Sequence, residues 1–84
     1  MSYSLSILRR AQKELAQLPR VEYESVRDAI RALMQEPRPA GCLKLAGRDA
    51  WRIRVRDYRV IYEIDDQQKI LTVLHVGHRR DVYR

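Results

Sequence analysis

The sequence predicts an α+β fold: an N-terminal strand, an antiparallel helix hairpin, then a three- to four-stranded antiparallel meander. Three observations carry this. The first eight residues alternate apolar and polar. The stretch from there to about residue 36 places apolar residues at helical spacing. Three β-branched and aromatic runs then follow, separated by short polar turns.

Tyr3, Leu5 and Ile7 alternate with Ser2, Ser4 and Ser6, the pattern of a half-buried strand over Tyr3 to Leu8. The period then changes. Leu8, Ala11, Leu15 and Leu18 form a helical stripe, with Arg9, Arg10, Lys13 and Gln17 on the other side, and Pro19 stops the helix. A second helix is predicted from about Val21 to Glu36, burying Tyr23, Val26, Ile30, Leu33 and Met34 and exposing Arg27, Asp28 and Arg31. Pro37, Arg38, Pro39 and Gly41 form a stop and a loop. The short link Leu18-Pro19-Arg20 implies that the helices fold back on one another. Trp51 to Arg56, Tyr58 to Ile64 and Ile70 to Val76 are the three strands, turning at Asp57 and at Asp65 to Gln68.

At 84 residues the chain is read as one domain, residues 1–84, with a modest core and marginal stability. The single Cys42 excludes an internal disulfide framework and a multi-cysteine metal site. No run approaches the ~20 apolar residues of a membrane span. The first ten residues place their charge after a short apolar run, the reverse of a signal peptide, so a cytoplasmic protein without membrane contact is expected.

Charge carries more information. Seventeen Lys and Arg against eleven Asp and Glu leave a formal +6, which favours a polyanionic partner. Fourteen of the seventeen are arginine, whose planar fork grips phosphate at two points. A general preference for arginine would explain the count equally well, so position must decide.

Trp51, Ile53 and Val55 alternate with Arg52, Arg54 and Arg56. A two- or four-residue loop centred on Arg56-Asp57 would set Val55 beside Tyr58, Arg54 opposite Arg59 and Arg52 opposite Ile61. Opposed residues share a face, so Arg52, Arg54 and Arg59 would stand together with the core on the other side. A three-residue loop would move Arg59 away. A solvated polar face is the plain alternative, and the facing arginines favour an anion site. In the tail, Gly77-His78-Arg79-Arg80-Asp81-Val82-Tyr83-Arg84, His78 and Tyr83 carry further chemistry. Tyr83 reads either as a docking aromatic or as an anchor, and His75, inside the last strand, as a packed or edge histidine.

Leu43-Lys-Leu-Ala-Gly47, Trp51-Arg-Ile-Arg-Val-Arg-Asp-Tyr-Arg-Val-Ile-Tyr-Glu-Ile-Asp65 and Val76-Gly-His-Arg-Arg-Asp-Val-Tyr83, in this order after a strand and two helices, resemble the RelE/ParE superfamily of type II toxin–antitoxin systems. The likeness spans nearly the whole chain and is greatest to the RelE branch. It implies a ribosome-dependent endonuclease that cuts mRNA without metal or other cofactor. The ribose 2′-hydroxyl attacks the adjacent phosphate and leaves a cyclic phosphate. The implied partners are the 70S ribosome, mRNA and a cognate acidic RelB-like antitoxin, with operator DNA reached only through the antitoxin.

The resemblance assigns the family's two basic strand residues to Arg52 and Arg54, its strand arginine to Arg59, its tail arginine to Arg79 and its terminal tyrosine to Tyr83. Lys44 and Arg80 join Arg52 and Arg54 as expected RNA contacts. Arg54 and Arg59 are expected to stabilise charge on the phosphate. Several RelE-type enzymes carry lysine where this chain has Arg52 and Arg54. Arginine holds its proton, so neither can serve as general base. Tyr83, His78 and Glu63 remain the proton-transfer candidates, with Tyr83 expected at the 2′-hydroxyl and Arg79 or His78 at the leaving 5′-oxygen. Two other readings stay open: a ParE-like gyrase poison, and a non-catalytic basic module that binds RNA or ribosomes.

Overall fold

The computed structural model describes residues 2–78. Strand β1 (Ser4–Ile7) leads into helices α1 (Arg9–Ala16) and α2 (Arg20–Leu33), and β2 (Leu43–Lys44), β3 (Trp51–Val55), β4 (Tyr58–Asp65) and β5 (Ile70–His78) follow. The fold is α+β, as the periodicities require. The sheet has five strands in the order β1-β5-β4-β3-β2. β2 to β5 are the expected antiparallel meander, and β1 adds a fifth strand parallel to β5.

Both helices are shorter than their apolar stripes suggest. The last turn of α1 tightens, with Gln17 and Leu18 N–H donating to the carbonyls of Glu14 and Leu15. Pro19 then starts α2 from an extended conformation, and its carbonyl accepts from Tyr23 N–H. α2 stops at Leu33 instead of Glu36. Pro37 disfavours the helical region for the residue before it, and the carbonyl of Met34 turns to accept from Tyr3 N–H. That bond ties the end of α2 to the start of β1.

The alternating strands and helical stripes meet in one cluster: Tyr3, Ala11, Leu15, Val26, Ile30, Leu33, Ile53, Val60, Tyr62, Leu71, Val73 and Val76. Each large apolar side chain fully buried there contributes roughly 1.5–3 kcal/mol. The opposite sheet face is not wholly polar. Residues 45–50 fold over it, and Ala50 and Ile61 are buried there with Leu45 and Leu74 against them. Ile61, an apolar residue registered against Arg52, is what draws this loop down.

A bulge interrupts β5. Ile61 pairs with His75 but Tyr62 pairs with Val73, so Leu74 is the extra residue. At the far end, Arg38 forks onto Asp66 at 2.9 and 3.4 Å while Tyr3 Oη donates to the same carboxylate at 2.6 Å. Among the described residues no helix is long and apolar enough to cross a membrane.

Candidate nucleic-acid interface

β3 and β4 are joined by the two-residue turn Arg56-Asp57, and this length sets the register of the site. Val55 pairs with Tyr58, Arg54 with Arg59, Ile53 with Val60 and Arg52 with Ile61. Ile53, Val60 and Tyr62 are buried in the core on one face. Arg52, Arg54 and Arg59 therefore stand on the other, as the pairing argument requires. Arg56, at the turn, adopts φ 56° and reaches back to Glu22 of α2, its Nε donating to Oε2 at 3.1 Å.

Across from Arg59 on the far side, β5 presents Gly77. Arg54, Arg59 and Gly77 thus form one row over three strands. The glycine leaves the arginine face without a side chain at its end, beside the guanidinium. Nε of Arg52 and of Arg59 is screened from solvent, so their side chains are held by their surroundings. Arg54 is exposed. Two guanidinium groups side by side on adjacent strands, one held and one exposed, offer forked donors to the non-bridging oxygens of a phosphodiester.

Three expected residues lie elsewhere. His78 pairs with Tyr58, on the core side of the sheet, and its ring meets the Tyr58 ring edge-on with centroids 5.7 Å apart. Strand alternation, not distance along the chain, separates it from the arginines. Lys44 pairs with Trp51, which puts it on the face opposite Arg52, and its ammonium lies 3.9 Å from Asp49. Glu63 does share the arginine face, but four residues along β4 from Arg59 is about 13 Å at strand rise; it stands against Thr72 instead. Arg79, Arg80 and Tyr83 lie outside the described residues.

His75 is an edge histidine, as one of its two readings expected: its Nδ1 lies 2.7 Å from Glu14 of α1. Two features of the interface were missed from sequence, the Gly77 gap and the loop over Ile61. Their signals were present. A glycine ends the third strand, and an apolar residue stands in line with the arginines. Beside the row, Ala29, Ala32 and Leu33 of α2 face Ile53 and Val55 of β3 across an apolar groove of about 380 Å³ closed by Pro39 and Gly41. β2 pairs β3 only at Trp51 and Arg52, so the groove borders an edge of β3 that β2 does not cover. Among the described residues, no three His, Cys, Asp or Glu side chains gather in a way that could hold a metal ion.

This small α+β domain with a basic row on its meander has the architecture that the resemblance to the RelE/ParE superfamily implies. A family profile described as "ParE toxin of type II toxin-antitoxin system, parDE" matches residues 5–83. Toxin RelG of Mycobacterium tuberculosis is 34% identical over 88 residues, covering all of this chain and 99% of that one. The toxin in the RelE–RelB complex of Pyrococcus horikoshii superposes with TM-score 0.85 at 31% identity, over 98% of this chain and 100% of that one. The isolated Escherichia coli RelE toxin superposes with TM-score 0.81 at 30% identity, over 98% and 92%. The chain belongs to the RelE/ParE superfamily of type II toxin–antitoxin toxins, on its RelE branch.

Proposed function

We propose that this toxin is an endoribonuclease that cleaves mRNA on the ribosome. The Arg54–Arg59 pairing carries the reading. In the reaction the 2′-oxygen loses its proton and bonds to the adjacent phosphorus, the P–O5′ bond breaks, and the 5′-oxygen takes up a proton. Products are a 2′,3′-cyclic phosphate and a 5′-hydroxyl. Negative charge grows on the non-bridging oxygens along this path, and guanidinium groups fixed beforehand stabilise it. Arg59 and Arg54 fill that role and Arg52 grips the backbone. Arginine cannot accept the 2′-hydroxyl proton. Tyr83 is assigned to that proton and Arg79 to the 5′-oxygen, with Arg80 a further RNA contact. His78, on the Tyr58 face, is the weaker candidate for proton transfer. Holding the 2′-oxygen in line supplies a large share of the rate, and the ribosome helps impose that geometry.

The partner is an acidic antitoxin. Its charge suits a +6 chain, and an apolar segment of it would cover the groove between α2 and β3. The RelE–RelB complexes among the similar structures support this. Operator DNA would be reached through the antitoxin.

The test is purified toxin on ribosome-bound and on naked mRNA, beside Arg59→Ala. Cleavage of the ribosome-bound message alone, lost in the variant, is expected. Intact message in both settings overturns the reading. The ParE description of the matching profile favours a second reading, a gyrase poison. DNA damage with intact transcripts on expression would select it, and binding to ribosomes without cleavage would select a non-catalytic module.

A further inference from the structure

Helix α1 carries an acidic residue on its buried face. Glu14 lies three residues after Ala11 and four before Leu18, within the apolar stripe, and its side chain is only 24% exposed. A half-buried carboxylate is costly unless it is bonded, so its partners indicate what it does.

Those partners are on β5, more than sixty residues away. β1 pairs with β5 only from Ile70 to Val73, and the last backbone bond along that edge is Leu8 N–H to the carbonyl of Val73. Beyond it the chain turns into α1, and the outer edge of β5 has no strand beside it among the described residues. Glu14 takes the place of that strand. Its Oε1 accepts from Val76 N–H at 2.9 Å, and Nδ1 of His75 lies 2.9 Å from Oε1 and 2.7 Å from Oε2. Arg10, one turn earlier, donates Nε to Oε2 at 3.3 Å and steadies the carboxylate from its own helix. One side chain thus closes the edge immediately after the Leu74 bulge, where the ladder is interrupted and β5 is easiest to displace.

What this edge carries is the candidate site. Val76 pairs with Val60, and the next pair is Gly77 with Arg59. Arg79 follows two residues later in sequence. We propose that Glu14 is a positioning residue for RNA cleavage: by clamping Val76 and His75 it fixes the end of β5 against Arg59. The proposal rests on the endoribonuclease reading above. Glu14 touches no reacting atom. A shift of about 1 Å in a positioned group can cost up to roughly 100-fold in rate, so its loss should appear in kcat and leave KM near the wild-type value.

The substitutions separate clamping from charge. Glu14→Gln keeps an acceptor for Val76 N–H, whereas Glu14→Ala has none, and Glu14→Asp draws its oxygens back by one methylene. Each is assayed for cleavage of ribosome-bound mRNA, with amide hydrogen exchange read at Val76, Gly77 and His78. Glu14→Ala should cleave about 10- to 100-fold more slowly at unchanged KM, and its Val76 amide should exchange faster while that of Val60 does not. Glu14→Gln should restore most of both. If Glu14→Ala does not fold, Glu14→Asp carries the test, with the same pattern in weaker form. Wild-type kcat in Glu14→Ala or Glu14→Asp overturns the positioning role, and slow Val76 exchange in Glu14→Ala overturns the clamp. A wild-type toxin that leaves mRNA intact while its Val76 amide depends on Glu14 overturns the endoribonuclease reading and, with it, the positioning role; the clamp itself would stand.

Discussion

Arg54 on β3 and Arg59 on β4 are direct cross-strand partners on the face of the sheet turned away from the core. Like charges so placed are destabilising by up to roughly 1 kcal/mol, less in salt. A fold that keeps the pair retains a local cost at the proposed site. Arg59→Gln should therefore separate activity from stability. Ribosome-dependent cleavage should fall by roughly 100- to 1,000-fold, the loss typical of a removed charge-stabilising donor. The urea midpoint at low salt should stay level or rise, and the gain should shrink at high salt. A variant that loses both activity and stability would mean that Arg59 holds the sheet together.

The turn that creates this pairing is strained at one residue. Arg56 has φ 56°, in the left-handed region that favours glycine. Its ion pair with Glu22 is only partly buried and contributes little. Comparing Arg56→Ala with Arg56→Gly removes the ion pair from both and leaves only the backbone preference. At an ordinary position glycine is the less stable of the two. Here it should be the more stable by about 1 kcal/mol. Equilibrium unfolding of the two variants decides the sign, and a more stable alanine would rule out the strain.

Much of this site was legible because strand periodicity is strict. With a two- or four-residue loop centred on Arg56-Asp57, the positions of Arg52, Arg54, Arg59, Ile53 and Val60 follow from alternation alone. What could not be read came from non-local partners. The parallel pairing of β1 with β5 joins residues more than sixty apart, and no local pattern encodes it. Glu14 reads as an ordinary polar residue until β5 is beside it. His78 falls on the Tyr58 face because neighbours in sequence alternate in space: Gly77 pairs with Arg59, so His78 pairs with Tyr58.

The far end of the sheet should respond to acid. Hydrogen bonds from Arg38, and after it from Tyr3, hold the Asp66 carboxyl below its ordinary value of 3.8. The folded state then binds fewer protons than the unfolded chain in that range. The stabilisation is present above about pH 4 and is lost as pH falls through the lowered value. Asp66→Asn should be less stable than wild type near neutrality, with the difference closing in acid. Because the pair is exposed the effect is small, and pH-dependent urea titrations of the two proteins measure it. A gap that persists at pH 2 would assign the stabilisation to uncharged contacts.

Alkali should act through Tyr62. This side chain is fully buried, and its hydroxyl donates to the carbonyl of Pro37 at 2.7 Å, tying β4 to the loop after α2. Burial, reinforced by the neighbouring Cys42, raises the phenol well above its ordinary value of 10.0. The folded state therefore keeps a proton that the unfolded chain gives up. Stability is unaffected below about pH 10 and declines as pH rises from there toward the raised folded value. Tyr62→Phe removes the titrating group, so its stability should fall less steeply over that interval. It should start lower at pH 7, by about 1–3 kcal/mol, because the carbonyl of Pro37 loses its donor inside the protein. The two curves should converge with rising pH. Parallel alkaline limbs in wild type and Tyr62→Phe would place the sensitive group elsewhere.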